Sequence, residues 1–245
     1  MDHVPKPVLV ITIGMDCGID RIEATIAGHA KDGTIYSLGH QTFWGSPNDD
    51  DIWSEIDSLL RQRWRHPSGG LLKVDAAAID AGDGGHYDTV LKFCNARLSR
   101  KILAIKGASG FARPMIQTSK TKRGRLFIVG VDVIKSQVIS RLARGASIRF
   151  SHTLDANYFE QLAAEKRVVR YSRGKPAARF ERVPGRRAES LDCMVYCIAA
   201  RAALNLSAAA FEQRQEDLKN PESASKKMPT VIHSQFMQRR LRTPW

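Results

Sequence analysis

The stretch Pro7–Met15 (PVLVITIGM) is the most hydrophobic in the chain and runs straight into Asp16. It is too short to cross a membrane, so it reads as a buried strand. Residues 21–29 (RIEATIAGH) alternate, with Ile22, Ala24 and Ile26 on one face and Arg21, Glu23 and Thr25 on the other, the pattern of a half-buried strand. Gly33 marks a turn into a third strand around Thr34–Phe43. Three strands joined by short turns predict an antiparallel meander.

Helix and strand signals alternate from there. Asp49–Asp51 open a helix whose apolar positions run from Ile52 to Trp64, and Pro67–Gly70 break it. Leu71–Asp80 is a fourth strand, Tyr87–Leu98 a helix and Lys101–Ile105 a short strand. Lys106–Arg125 reads as a basic loop, Leu126–Val131 as a strand, and Asp132–Leu142 and Asp155–Lys166 as helices. Val168–Tyr171 and Ala177–Val183 form a hairpin, and Ala188–Leu204 is a strongly apolar helix. The expected class is α/β, a mixed sheet flanked by helices. One domain is expected over residues 1–204. Residues 205–245 read as a tail, partly helical or disordered, with a linker at Asn220–Pro229 and a frayed end at Val231–Trp245.

The charge is +13, and it is unevenly spread. Residues 1–96 hold 14 acidic and 8 basic side chains. Residues 97–144 hold 12 basic ones against Asp132 alone, and residues 166–187 hold 9 against Glu181 alone. Such segregation makes a polyanion the first partner to test, because phosphate contacts release counterions. Cys17, Cys94, Cys193 and Cys197 are too few and too irregular for a disulfide scaffold or a zinc site, so reduced thiols of an intracellular protein are expected. Neither a secretory leader nor a transmembrane helix is read.

Asp16 and Asp80 each follow an apolar strand, and Asp192 sits inside the apolar helix between Leu191 and Cys193. A buried carboxylate needs a partner or a cation. Three gathered at one sheet end would form an oxygen-rich site for Mg²⁺ or Mn²⁺, and two such ions suit phosphodiester hydrolysis. Asp75 lies in mid-strand and Asp83 in a turn, so both are weaker candidates. Gly82–Gly85 is not a P-loop, and no Walker pattern or GxSxG element occurs.

Five short motifs occur in order: Gly14-Met15-Asp16 with Asp20-Arg21, Ile79-Asp80-Ala81-Gly82, Ile105–Ser109 (IKGAS), Gly130-Val131-Asp132 with Lys135, and Glu189–Tyr196 (ESLDCMVY). Together they resemble the C-terminal nuclease domain of the large terminase subunit of lambda-like tailed phages, over roughly residues 8 to 204. The resemblance implies an RNase H-like fold and metal-dependent endonucleolytic cutting of concatemeric viral DNA for packaging. It implies Asp16, Asp80 and Asp192 as holders of two Mg²⁺ or Mn²⁺ ions, with Lys106 beside them. Lys106, Arg113, Lys120, Lys122, Arg123, Arg125 and Lys135 would contact DNA.

The implied partners are double-stranded DNA, a terminase small subunit, an ATPase motor and a portal protein, in the cytoplasm of a bacterial host and without a membrane. The family's motor motifs are missing here, which points to a separately encoded, truncated or excised nuclease domain. Two other readings stand beside this one. The first is a catalytically silent DNA-binding or packaging-assembly domain. The second is another RNase H-like nuclease such as a junction resolvase; a transposase is disfavoured because its last acid is usually Glu.

Overall fold

A computed structural model describes residues 4–82, 85–121, 124–145, 147–172 and 175–220. Its elements are β1 (Val8–Cys17), β2 (Arg21–Ala30), β3 (Ile35–Trp44), α1 (Asp50–Arg61), β4 (Arg63–Arg65), β5 (Leu71–Asp80), α2 (Tyr87–Asn95), β6 (Ile102–Ala108), β7 (Ile116–Thr121), β8 (Gly124–Gly130), α3 (Val131–Arg144), β9 (Ile148–Phe150), α4 (Ala156–Leu162), β10 (Glu165–Ser172), β11 (Lys175–Arg182), α5 (Glu189–Ala203) and α6 (Ala208–Lys219). The main sheet has the order β7-β8-β6-β5-β1-β2-β3-β9, with β4 paired to β5, while β10 and β11 form a separate ribbon. β1, β2 and β3 are the expected antiparallel meander. β5 joins β1 in parallel, and β6 and β8 continue that direction. The result is the expected α/β class, a mixed sheet with helices on both faces.

Strand alternation divides the core. Ile11, Ile13, Met15 and Ile22 face a layer that includes Ile56 and Leu60 of α1, Leu91 of α2 and Phe211 of α6. Ala76, Ala78, Leu103 and Ile105 face the other layer, with Ile134 of α3, Tyr158 of α4 and Leu191 and Val195 of α5. Both faces of β2 are therefore covered, and Glu23 and Thr25 are 4% and 0% exposed rather than solvated. The alternation that suggested a half-buried strand marks two different packing partners instead.

Other departures have local causes. α1 stops at Arg61, and Trp64 belongs to β4, where it packs from a strand pairing Arg63 with Lys73. The expected basic loop is largely strand: β6 runs on to Ala108, and β7 pairs antiparallel with β8. The helix expected over residues 155–166 ends at Leu162, and Glu165 already opens β10. The folded body also continues past residue 204. In α6, Phe211 and Leu218 are buried, Arg214 pairs with Asp75 at 2.6 Å, and the Leu218 carbonyl accepts a bond from the Gly70 N–H. The polar stretch from residue 221 onward lies outside the described residues. Among the described residues, no single helix is long and apolar enough to cross a membrane.

Candidate active site

Parallel strands bring their C-terminal ends to one side of a sheet. Gly14 pairs with Ala78 and Met15 with Ile79, so one residue further along both strands come Asp16 and Asp80. Adjacent strands lie about 4.8 Å apart. Asp16 is also the register partner of Glu23 on β2. Alternation turns Asp16 toward the same face as Thr12 and Gly14, and that face is covered by α5.

Gly14 sets how closely α5 approaches. A Cβ there would lie 2.0 Å from the Cys193 carbonyl oxygen and 2.5 Å from the Cys197 nitrogen. The missing side chain lets the helix backbone rest on β1. Thr12 Oγ1 donates to the Cys197 carbonyl at 3.0 Å, and Cys193 Sγ donates to the Glu23 carbonyl at 3.1 Å. The N-terminal turns of α5 therefore lie over the C-terminal end of β1. Glu189, Asp192 and Tyr196 follow at helical spacing on one stripe.

The electrostatics follow from this crowding. Burial raises the Asp16 carboxyl well above the ordinary carboxylate range, and the charges of Asp192, Asp80, Glu189 and Glu23 raise it further. Burial also raises the Tyr196 hydroxyl, assisted by Asp80, Asp192 and Asp16. Burial raises Asp192 too, against the opposing pull of Lys135. Glu23 behaves differently. Burial pushes it up, but hydrogen bonds from His40 and Arg21 and the charge of Arg187 more than offset that and bring it down to about 2.

Lys135 is the main correction to the expected site. It was a candidate for DNA contact, yet it is 7% exposed and donates to Asp192 Oδ1 at 2.9 Å and to both carboxylate oxygens of Glu165 at 2.8 and 2.9 Å. Buried and doubly paired, it has no free ammonium to offer a phosphate. Arg182 lies 3.7 Å from Asp192 Oδ2. Asp192 is thus turned toward two cations. Among the described residues, no three His, Cys, Asp or Glu side chains form a group that could hold a metal ion. The three carboxylates are electrostatic neighbours without being an assembled ligand set.

The other expected residues fall at different ends of the sheet. Lys106 is exposed and directly follows Ile105, the register partner of Asp80, which puts it at the acidic end, although alternation turns it to the face of the sheet opposite Asp80. Arg113 is exposed, with its Cβ 3.1 Å from where a Gly130 Cβ would stand, also at that end. Lys120 pairs with Arg125 at the opposite end of β7 and β8. From Arg125 to Gly130 is about 17 Å of strand. Lys122 and Arg123 lie outside the described residues, as does Asp83. Asp132, the lone acid of its stretch, is buried and accepts a hydrogen bond from the Gly110 N–H. Asp75 is tied to Arg214 and to the Ile11 N–H, a packing role.

Three carboxylates at the site were not anticipated. Glu23, Glu165 and Glu189 are carboxylates of the same neighbourhood, and Glu189 Oε2 is buried without a hydrogen-bond partner. His86 Nε2 is likewise buried and unpartnered, 4.0 Å from the Gly82 Cβ position, which is itself 3.0 Å from Asp80 Oδ2. Glu189 stood inside a quoted motif and Glu23 opposite Asp16, so both had a signal. Glu165 had none, because its importance depends on where α3 places Lys135.

The fold is thus a mixed α/β domain with Asp16 and Asp80 at the ends of neighbouring strands and Asp192 on the helix covering them. The family described as terminase large subunit gpA, endonuclease domain, matches residues 1–215, and the chain belongs to it. The chain is 28% identical over 214 residues to the terminase large subunit of Enterobacteria phage P21, covering 80% of this chain and 33% of that one. It is 25% identical over 234 residues to the terminase large subunit of Escherichia phage lambda, covering 87% and 36%. It thus spans about a third of the length of these relatives. Among solved structures, the yeast mitochondrial Holliday junction resolvase Ydc2 aligns with a TM-score of 0.39 and 10% identity, over 91% of this chain and 85% of that one.

Proposed function

We propose that the chain is a divalent-metal-dependent endodeoxyribonuclease that cuts concatemeric phage DNA during packaging. One observation carries this reading. Asp16 is buried among Asp192, Asp80, Glu189 and Glu23, at a cost that a bound cation would remove. The donor chemistry fits Mg²⁺ or Mn²⁺, which prefer carboxylate oxygens, and the unpartnered Glu189 Oε2 adds a further acceptor.

Asp16, Asp80 and Asp192 would hold one or two ions. When bound, the metal lowers the pKa of water and offsets charge on the phosphodiester oxygens. The rest belongs to the chain. Asp16 and Asp80, at the ends of neighbouring strands, would offer oxygens to the ion. Lys135 and Arg182 hold Asp192, so releasing one of its oxygens to a cation means loosening those pairs. Lys106 and Arg113, at the acidic end, would neutralise phosphates flanking the cut. Lys120 and Arg125 would follow the duplex further along the sheet, and Lys122 and Arg123, outside the described residues, would add phosphate contacts. DNA, a small subunit, a motor and a portal are the partners of this reading.

The pairing of Asp192 with Lys135 favours a second reading, a DNA-binding domain whose nuclease is silent. Nicking of supercoiled plasmid in Mn²⁺, with and without EDTA, separates the two. The nuclease reading expects nicking that EDTA and Asp16→Asn abolish while DNA binding persists. DNA binding without nicking in Mg²⁺ or Mn²⁺ would establish the silent domain.

A further inference from the structure

The cationic stretch of residues 166–187 has no part in the main sheet. It forms the ribbon β10–β11, whose described attachments to the body lie near its base. There the Val183 N–H donates to the Ala164 carbonyl, Phe180 meets Phe111 at 5.8 Å between ring centroids, and Arg167 stacks over Phe111 at 4.9 Å. Glu165 and Arg182, opposite each other in the first ribbon pair, are the residues that engage Lys135 and Asp192. The ribbon is rooted at the third acid.

Its two faces differ. Val169 and Tyr171 share a face with Glu165 and Arg182 by alternation, and they are 59% and 78% exposed. Isolated exposed apolar groups are ordinary, but here two occupy the outer part of one ribbon face that leads back to Asp192. Lys166, Arg170 and Arg179 lie on the opposite face, where Glu181 pairs with both arginines. Residues 165–182 hold seven basic side chains against the two acids Glu165 and Glu181, which leaves the ribbon cationic. From Glu165 to Tyr171 the ribbon reaches about 20 Å, and a two-stranded ribbon matches the width of a B-DNA major groove, about 12 Å.

We infer that β10–β11 is a DNA-gripping arm that enters a groove of the duplex and leads it onto Asp192, with Tyr171 and Val169 against bases or sugars and Lys166, Arg170 and Arg179 on the phosphates. The inference rests on the nuclease reading for its substrate and extends it by naming the surface that holds that substrate. The charge excess of the ribbon as a whole selects a polyanion over a protein partner.

The test is fluorescence anisotropy of a labelled 30-base-pair duplex with the full chain in EDTA, across a salt series. Combined Lys166→Gln, Arg170→Gln and Arg179→Gln is expected to flatten the log–log salt slope by roughly two to three units, about 0.9 per lost phosphate contact. Tyr171→Ala is expected to weaken binding about tenfold at unchanged slope, and Tyr171→Phe to restore it. Val169→p-benzoylphenylalanine, in an otherwise unaltered chain, is expected to photocrosslink to the duplex, which checks the contact even if the triple variant loses stability. Unaltered affinity and slope in the variants, or a crosslink that forms to protein and never to DNA, would overturn the arm while leaving plasmid nicking by the native chain intact. Failure of the native chain to bind duplex at all would overturn the arm and the nuclease reading together.

Discussion

A single buried carboxylate costs the folded chain stability wherever it must ionise. Asp16 has its carboxyl raised by burial and by four acidic neighbours, so the folded chain retains a proton that the unfolded chain has released. Stability then falls as pH rises above the unfolded carboxylate value, near 3.9, toward the folded value. Asp16→Asn carries no such charge. Without divalent metal at pH 7 it is expected to be more stable than the native chain by on the order of 1 kcal/mol or more. Thermal melts in EDTA check this, and an unchanged or lower Tm would contradict it. Added Mn²⁺ is expected to raise the Tm of the native chain and not that of Asp16→Asn. Asp16 and Asp80 were legible in the sequence because an acid ending an apolar strand has few places to go. The fate of Lys135 was not, because nothing local shows that its helix faces Asp192 and Glu165 rather than solvent.

At the scale of elements, the packing of β2 between two layers has its own pH signature. His29 is 5% exposed, and its Nε2 lies 2.7 Å from Thr12 Oγ1. Burial, with the charges of Arg201 and Arg141, lowers it to about 3. The unfolded chain binds a proton near pH 6.5 that the folded chain refuses, so this group withdraws stability as pH falls from there toward 3. The slope is about 1.4 kcal/mol per pH unit. His29→Gln is expected to flatten the acid limb of a Tm-against-pH profile, and an identical limb in both proteins would contradict the burial of a neutral imidazole. The meander, β5 and α5 were readable because apolar runs and their periods are local. β9 escaped notice because it spans Ile148–Phe150 alone, and β7 because its polar residues resemble a loop until paired with β8.

The whole molecule is larger than its motifs. The resemblance ended near residue 204, yet α6 closes the sheet face beside β1 through Phe211, Leu218 and the Arg214–Asp75 pair. A chain ending at Leu204 is expected to lose about 3–5 kcal/mol, since it strips a buried carboxylate of its partner and uncovers core side chains. Urea titration of this truncation against the full chain tests it, and equal midpoints would show that α6 is an appendage. The charge asymmetry also takes on a spatial meaning. The stretch over residues 166–187 is rooted at the acidic end, whereas Lys120 and Arg125 stand at the far end of their hairpin. Sequence position reported how much positive charge there was, and topology decided which part of it faces the acids.

The proposed cation site consists of Asp16, Asp80 and Asp192. Anomalous diffraction from crystals of the native chain soaked in Mn²⁺ addresses it directly. The expected result is a Mn²⁺ peak in contact with Asp16 and Asp80, with Asp192 turned from Lys135 toward it. A Mn²⁺-saturated crystal with no peak among these carboxylates, and with Asp192 still paired to Lys135, would rule this site out.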